Sequence, residues 1–264
     1  MSLTSLDSSS TFIPAPLTIR KIDSGDLDWA LAAGWRDFAQ KRGDIIILAL
    51  IYPLGGFIAA ALSFNDQLLP LFFPLIAGLS ILGPAVATGF YELARRREVG
   101  LDASWRNFFA PISGPNRFGI VVLTLGLTVI FAAWLLAASL IAKATVGPVA
   151  GTDVAAFLQR VFTTPQGWSL ILIGNLVGLG FAILTLVFAV VSFPLSVDKV
   201  VSPFIAVSTS IEAVRANPKT IALWGLRVIG LLVLGSIPAF VGLAVVLPVL
   251  GYASWHLYTR LVVR

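Results

Sequence analysis

Residues 118–142 read FGIVVLTLGLTVIFAAWLLAASLIA, with Arg117 before them and Lys143 after. The run holds 25 residues and no charge. At about 1.5 Å per residue a helix of that length covers roughly 37 Å, enough to cross a hydrocarbon core of about 30 Å. The rest of the chain agrees with it. Of 264 residues 58% are hydrophobic and 12% charged, about half the charged share of a soluble domain. That composition excludes both an ordinary soluble domain and a disordered chain, which needs low hydrophobicity and high charge.

Working outward, five more stretches are long and apolar enough to span. They are residues 45–64, 68–90, 169–193, and the two halves of a long run with one charge, Arg227, between 221 and 253. That run is too long for a single crossing, and Ser236-Ile237-Pro238 splits it into 220–236 and 239–258. Pro70, Pro74 or Pro84 should bend the second span. The fold expected is all-α: a polytopic bundle of six transmembrane helices arranged as three hairpins. Residues 1–18 are expected to be a disordered tail, and 19–264 a single membrane domain.

Lysines and arginines decide the orientation. Fifteen flank the spans on one side, among them Arg20, Arg36, Arg95, Arg96, Arg97, Arg117, Lys199 and Arg264; two, Lys143 and Arg160, lie on the other. Both termini are therefore expected in the cytoplasm. Trp29, Trp35, Trp105, Trp168, Trp224 and Trp255 fall near span ends, as interfacial belts do.

A short amphipathic segment precedes each hairpin: residues 26–42, 102–110 and 203–216. In the first, Leu27, Leu31, Trp35 and Phe38 share a face. Asp102 is a candidate cap of the second. Ser202-Pro203 makes a good N-cap and N1 pair for the third, whose apolar face is Phe204, Val207, Ile211 and Val214. Gly34-Trp35-Arg36-Asp37-Phe38 and Ser104-Trp105-Arg106-Asn107-Phe108 share a wording. The expected plan is a threefold unit, at about 26–91, 102–194 and 203–258, of interfacial helix plus hairpin. The loop 144–168 should carry one more surface helix, with Val154, Phe157, Leu158 and Val161 on its apolar face.

Candidate chemistry is sparse. There is no cysteine, and His256 is the sole histidine, so no thiol chemistry and no multi-histidine metal or haem site is expected within this chain. No cofactor is expected. Arg227, about eight residues or roughly 12 Å into the fifth span, either snorkels, pairs with a carboxylate (Glu92, Asp198 or Asp44), or holds an anion or lipid headgroup. Glu92 reads as a salt-bridge partner that could also titrate. Arg95, Arg96 and Arg97 are topology anchors compatible with anionic-lipid contact. Asn175, inside Gly174-Asn175-Leu176-Val177-Gly178, should hydrogen-bond across a close helix pair.

The run Gly83-Pro84 … Gly89-Phe90-Tyr91-Glu92-Leu93-Ala94-Arg95-Arg96-Arg97-Glu98 resembles the second-span signature of an uncharacterised family of bacterial integral membrane proteins. Pro248 … Gly251 … Trp255-His256-Leu257-Tyr258 … Arg260 is similar to that family's C-terminal signature. The resemblance implies a six-span protein of a Gram-negative inner membrane and transfers no activity. The function expected is non-enzymatic: an accessory, assembly or scaffolding component of a larger membrane complex, in contact with the lipid bilayer and not with nucleic acid. A small transporter or channel for a neutral or anionic solute is the alternative.

Overall fold

A computed structural model describes residues 17–40, 72–147, 154–238 and 240–264. The expected first span at 45–64, and Asp44, lie outside these residues. Of the expected tail, residues 17 and 18 are described, and the Thr18 carbonyl accepts a hydrogen bond from the Val263 N–H at 3.0 Å. The helices are α1 (Ser24–Gln40), α2 (Phe72–Leu79), α3 (Gly83–Glu98), α4 (Ala110–Ser113), α5 (Arg117–Thr145), α6 (Val154–Thr163), α7 (Pro165–Ala189), α8 (Ser192–Asp198), α9 (Pro203–Ala216), α10 (Pro218–Ser236) and α11 (Leu243–Leu261). Among the described residues the extended pairing is a single antiparallel bridge, Ile19 to Val262.

Four stretches are long and apolar enough to cross a membrane: Phe72–Glu98, Arg117–Thr145, Pro165–Asp198 and Pro218–Ser236. Their surfaces confirm that character. Phe118, Leu125, Val129, Leu136 and Leu140 of α5 are all exposed, a continuous apolar surface that water would not tolerate. The long run ending the chain divides where Ser236-Ile237-Pro238 predicts, with α10 ending at Ser236 and α11 starting at Leu243. α11 is not one of the four; its second half carries Trp255, His256, Tyr258 and Arg260.

Proline accounts for the break in the Phe72–Glu98 stretch. Pro84 has no N–H to give the Ser80 carbonyl and its ring crowds that turn. The helix tightens to a 3-10 turn at Ser80–Leu82. Pro194 acts likewise between α7 and α8, and there a side chain repairs the ladder. The Ser210 hydroxyl of α9 donates to the Val187 carbonyl at 2.7 Å and accepts from the Val191 N–H at 3.2 Å. It thus sits inside what would be one helical hydrogen bond.

The three expected interfacial helices fare differently. α9 has the predicted ends, and Ser202 accepts from the Ile205 N–H as the cap requires. Its small residues Ala206, Ser210 and Ala213 face protein, which leaves Phe204 81% exposed. The second segment is a 3-10 helix, Trp105–Phe109, leading into α4; the Ser104 side chain does not cap it, and the expected cap Asp102 instead accepts from the Ser104 N–H at 3.0 Å and hydroxyl at 2.8 Å. α1 corrects its expectation more strongly. Leu27, Ala30 and Phe38 are buried, because α1 packs along α11. At Gly34 an added Cβ would stand 2.6 Å from the Ala253 nitrogen and 2.7 Å from the Val249 carbonyl oxygen. Trp35 stays half exposed, as does Trp105, whereas Phe38 and Phe108 are both buried. The shared wording therefore sets a shared pattern of exposure on two different backbones.

The loop helix expected near 154–163 is α6, with Phe157 and Val161 buried against Val146 and Leu158 outward. The main core lies elsewhere. Trp255, Tyr252, Tyr258, Phe193, Leu93 and Leu195 are fully or nearly fully buried where α1, α3, α8 and α11 converge, at the Lys/Arg-rich ends of the spans.

Candidate functional site: the charged end of the bundle

α3 ends in Glu92-Leu93-Ala94-Arg95-Arg96-Arg97-Glu98. Helical spacing puts residues three and four apart on one face, so Glu92 meets Arg95 and Arg96. Its Oε2 accepts from Arg95 Nε at 2.8 Å. Its Oε1 accepts from Arg95 Nη2 at 2.9 Å and from Arg96 Nε at 2.6 Å. Arg97 turns to the other side and donates to Oδ1 of Asp37, in α1, at 2.8 Å and to the Asp37 carbonyl at 2.9 Å.

Asp37 is the hub of a second group. Its Oδ2 lies 2.8 Å from Nε2 of His256, in α11, and the edge of Trp29 meets the imidazole with ring centres 5.6 Å apart. Burial pushes the Asp37 carboxyl up, but hydrogen bonds and charge from His256 and Arg97 together hold it below its ordinary 3.8. A lowered carboxylate pKa contributes stability above the unfolded value and loses it as pH falls through the folded one. Thermal stability in detergent should therefore drop as pH falls below 3.8, and Asp37→Asn should flatten that part of the profile. An unchanged profile in the variant would remove Asp37 from the acid response.

Two further acids close the set. Glu98 accepts from Arg264 through both oxygens and from Trp255 Nε1 at 3.4 Å. Asp198, at the end of α8, accepts from the Tyr258 hydroxyl at 2.8 Å and lies 3.8 Å from Arg264. The α3 run and the Trp255-His256-Leu257-Tyr258 run are thus two sides of one contact. Phe90 packs on Gly251, where an added Cβ would come within 2.8 Å of it, and Phe108 covers Gly89 in turn.

Arg227 stands apart from this network. It pairs with neither Glu92 nor Asp198. Its Nη1 is 2.7 Å from Oδ1 of Asp28, in α1, although the N–H is not aligned for a hydrogen bond. The Asp28 side chain is 69% exposed. An exposed partner makes a weak pair, worth at most about 1 kcal/mol. Asp28→Asn should shift the melting temperature little, and Arg227→Leu should not be rescued by Glu92→Gln. Strong loss in Asp28→Asn would mean the pair carries more of the fold than its exposure allows.

Asn175 also departs from expectation. Its amide donates to the Ile171 carbonyl of its own helix at 2.8 Å and faces outward. Gly174 has nothing within 4 Å of an added Cβ, while Gly178 lies under Trp134 at 3.2 Å. Among the described residues the glycines do not bring two backbones together. Asp37, Glu98, Tyr258 and Arg264 were not singled out from sequence. The signals present were Asp37 inside the Gly34–Phe38 wording, where the second copy has Asn107, and Glu98 and Tyr258 inside the two runs that carry the family resemblance.

A polar pocket of about 250 Å3 lies where the ends of α3 and α8 meet the start of α5. Glu92, Arg95, Arg96, Asn116, Ser196, Asp198 and Lys199 contribute its polar lining. Among the described residues, no three His, Asp or Glu side chains gather in a way that could hold a metal ion.

Apolar, outward-facing helices joined at a charged, self-paired end define an integral membrane protein. Residues 72–198 match the model of a family described as Predicted integral membrane protein (DUF2189). The resemblance to an uncharacterised family of membrane proteins holds over that stretch, α2 to α8. No curated protein and no solved structure matches the chain.

Proposed function

We propose that the protein is a non-enzymatic accessory, assembly or scaffolding component of a larger complex in a bacterial inner membrane, with its basic end in the cytoplasm. The observation that carries this reading is the closure of the charged end. Asp37, Glu92, Glu98 and Asp198 are each engaged by basic or hydroxyl groups of the chain itself. Such groups tie helices together; they are not left free to carry protons or activate a substrate. Among the described residues no Asp or Glu lies in the middle of the four spans, where ion-coupled carriers usually place one. The basic residues around this end fit the positive-inside rule.

Copurification from gently solubilised membranes tests the reading. A defined large assembly with constant partners is expected; protein that is always isolated would overturn it. A second reading, a small transporter or channel for a neutral or anionic solute, draws on the polar pocket beside α3, α5 and α8. Solute movement into liposomes holding the protein alone would favour it.

A further inference from the structure

The same pocket supports an inference that does not depend on the scaffolding role. Its lining carries three cations, Arg95, Arg96 and Lys199, and two acids, Glu92 and Asp198. The acids are already committed. Glu92 holds both arginines, and Asp198 turns an oxygen to Tyr258. Glu92 therefore does not fill the pocket; it fixes the two guanidinium planes at its wall. Arg95 uses Nε and Nη2 on Glu92. Arg96 uses Nε on Glu92 and Nη1 on the Asp102 carbonyl. An arginine has five N–H donors, so Nη1 of Arg95 and Nη2 of Arg96 remain without an acceptor among the described residues.

Ser196 supplies an independent observation. The residue is 2% exposed, lines the pocket, and its hydroxyl has no hydrogen-bond partner among the described residues. A buried hydroxyl left unpaired costs stability unless something completes it. The space suffices, since about 250 Å3 is many times the ~10–15 Å3 that one water needs. Asn116 and Ile120, at the start of α5, bring the positive end of a 29-residue helix to the same place.

We propose that this pocket binds a phosphate group, held by the free guanidinium donors of Arg95 and Arg96, the Lys199 ammonium and the Ser196 hydroxyl. Preset guanidinium forks match phosphate oxygens, and basic pockets between spans on the cytoplasmic side suit lipid headgroups. The phosphate belongs either to an anionic lipid or to a soluble phosphate compound, because both present the same oxygens.

The test is a thermal-shift titration of the purified full chain in a phosphate-free maltoside detergent. The probes are phosphatidylglycerol, inorganic phosphate, glycerol 3-phosphate, and diacylglycerol as the lipid without phosphate. Saturable stabilisation by at least one phosphate probe and none by diacylglycerol is expected. A shift from phosphatidylglycerol alone assigns a lipid; a shift from the soluble probes assigns a soluble ligand. Ser196→Ala breaks no side-chain hydrogen bond among the described residues, so its fold should survive. It and Lys199→Gln should each weaken binding about tenfold, the scale of one hydrogen bond to a charged group. Arg215→Gln, an exposed basic residue outside the pocket, should leave binding unchanged. No saturable shift, a Ser196→Ala titration matching the wild type, or an equal loss in Arg215→Gln would each overturn the site.

Discussion

Glu92→Gln should lower stability by about 3 kcal/mol, the larger of the two strongest effects expected here. The Glu92 side chain is 5% exposed and neutralises two guanidiniums. Breaking a buried ion pair by removing one partner costs about 3–5 kcal/mol, because the other charge stays without compensation. The low end applies, since Arg95 and Arg96 are 28% and 23% exposed and keep part of their hydration. Replacing all three with glutamine should recover much of the loss, as no unpaired ion then remains. Melting temperatures in detergent for the single and triple variants decide it. A neutral Glu92→Gln would show that the carboxylate does not hold the end of α3.

Gly34→Ala should cost about 1–2 kcal/mol despite alanine's better helix propensity. That propensity favours alanine by about 1 kcal/mol. The opposing term is larger: the new Cβ would stand 2.6 and 2.7 Å from backbone atoms of α11. Backbone does not turn aside as a side chain does, so α1 and α11 must separate, and overpacking typically costs 1–3 kcal/mol or more. Gly174→Ala is the matched control, because nothing lies within 4 Å of an added Cβ there; it should be neutral or slightly stabilising. Equal melting temperatures for wild type and Gly34→Ala would mean that the contact between α1 and α11 is looser than described.

Features governed by local chemistry were legible in the sequence. Ser202-Pro203 dictates where α9 starts, Pro238 marks the turn before α11, and the spacing of Val154, Phe157, Leu158 and Val161 pointed to α6. The span edges at Arg117 and Lys143 follow from the cost of a charge in hydrocarbon. Partners across the fold were not legible. Asp28 escaped notice beside Arg227 because it reads as an acid suited to the first turn of a helix lying alone on the membrane. α1 instead docks on α10 and α11, and that docking is what carries Asp28 to Arg227. Asn175 failed for the opposite reason. Its glycines allow a close neighbour, but permission is not a partner, and Trp134 covers only Gly178. The pairing of the α3 run with the α11 run needed contacts about 160 residues apart, for example Glu98 with Trp255, which no spacing rule encodes.

The bridge between Ile19 and Val262, with Arg20 donating to the Leu261 carbonyl, has a consequence in time. Ribosomes add about 5–20 residues per second, so tens of seconds separate the synthesis of these two segments. Throughout that interval α1 exists without α11, and Leu27, Ala30 and Phe38 have no protein surface to cover them. The bilayer is the apolar phase within reach. The apolar face of α1 must therefore wait, uncovered by this chain's last helix, until the end of synthesis supplies the surface that buries it.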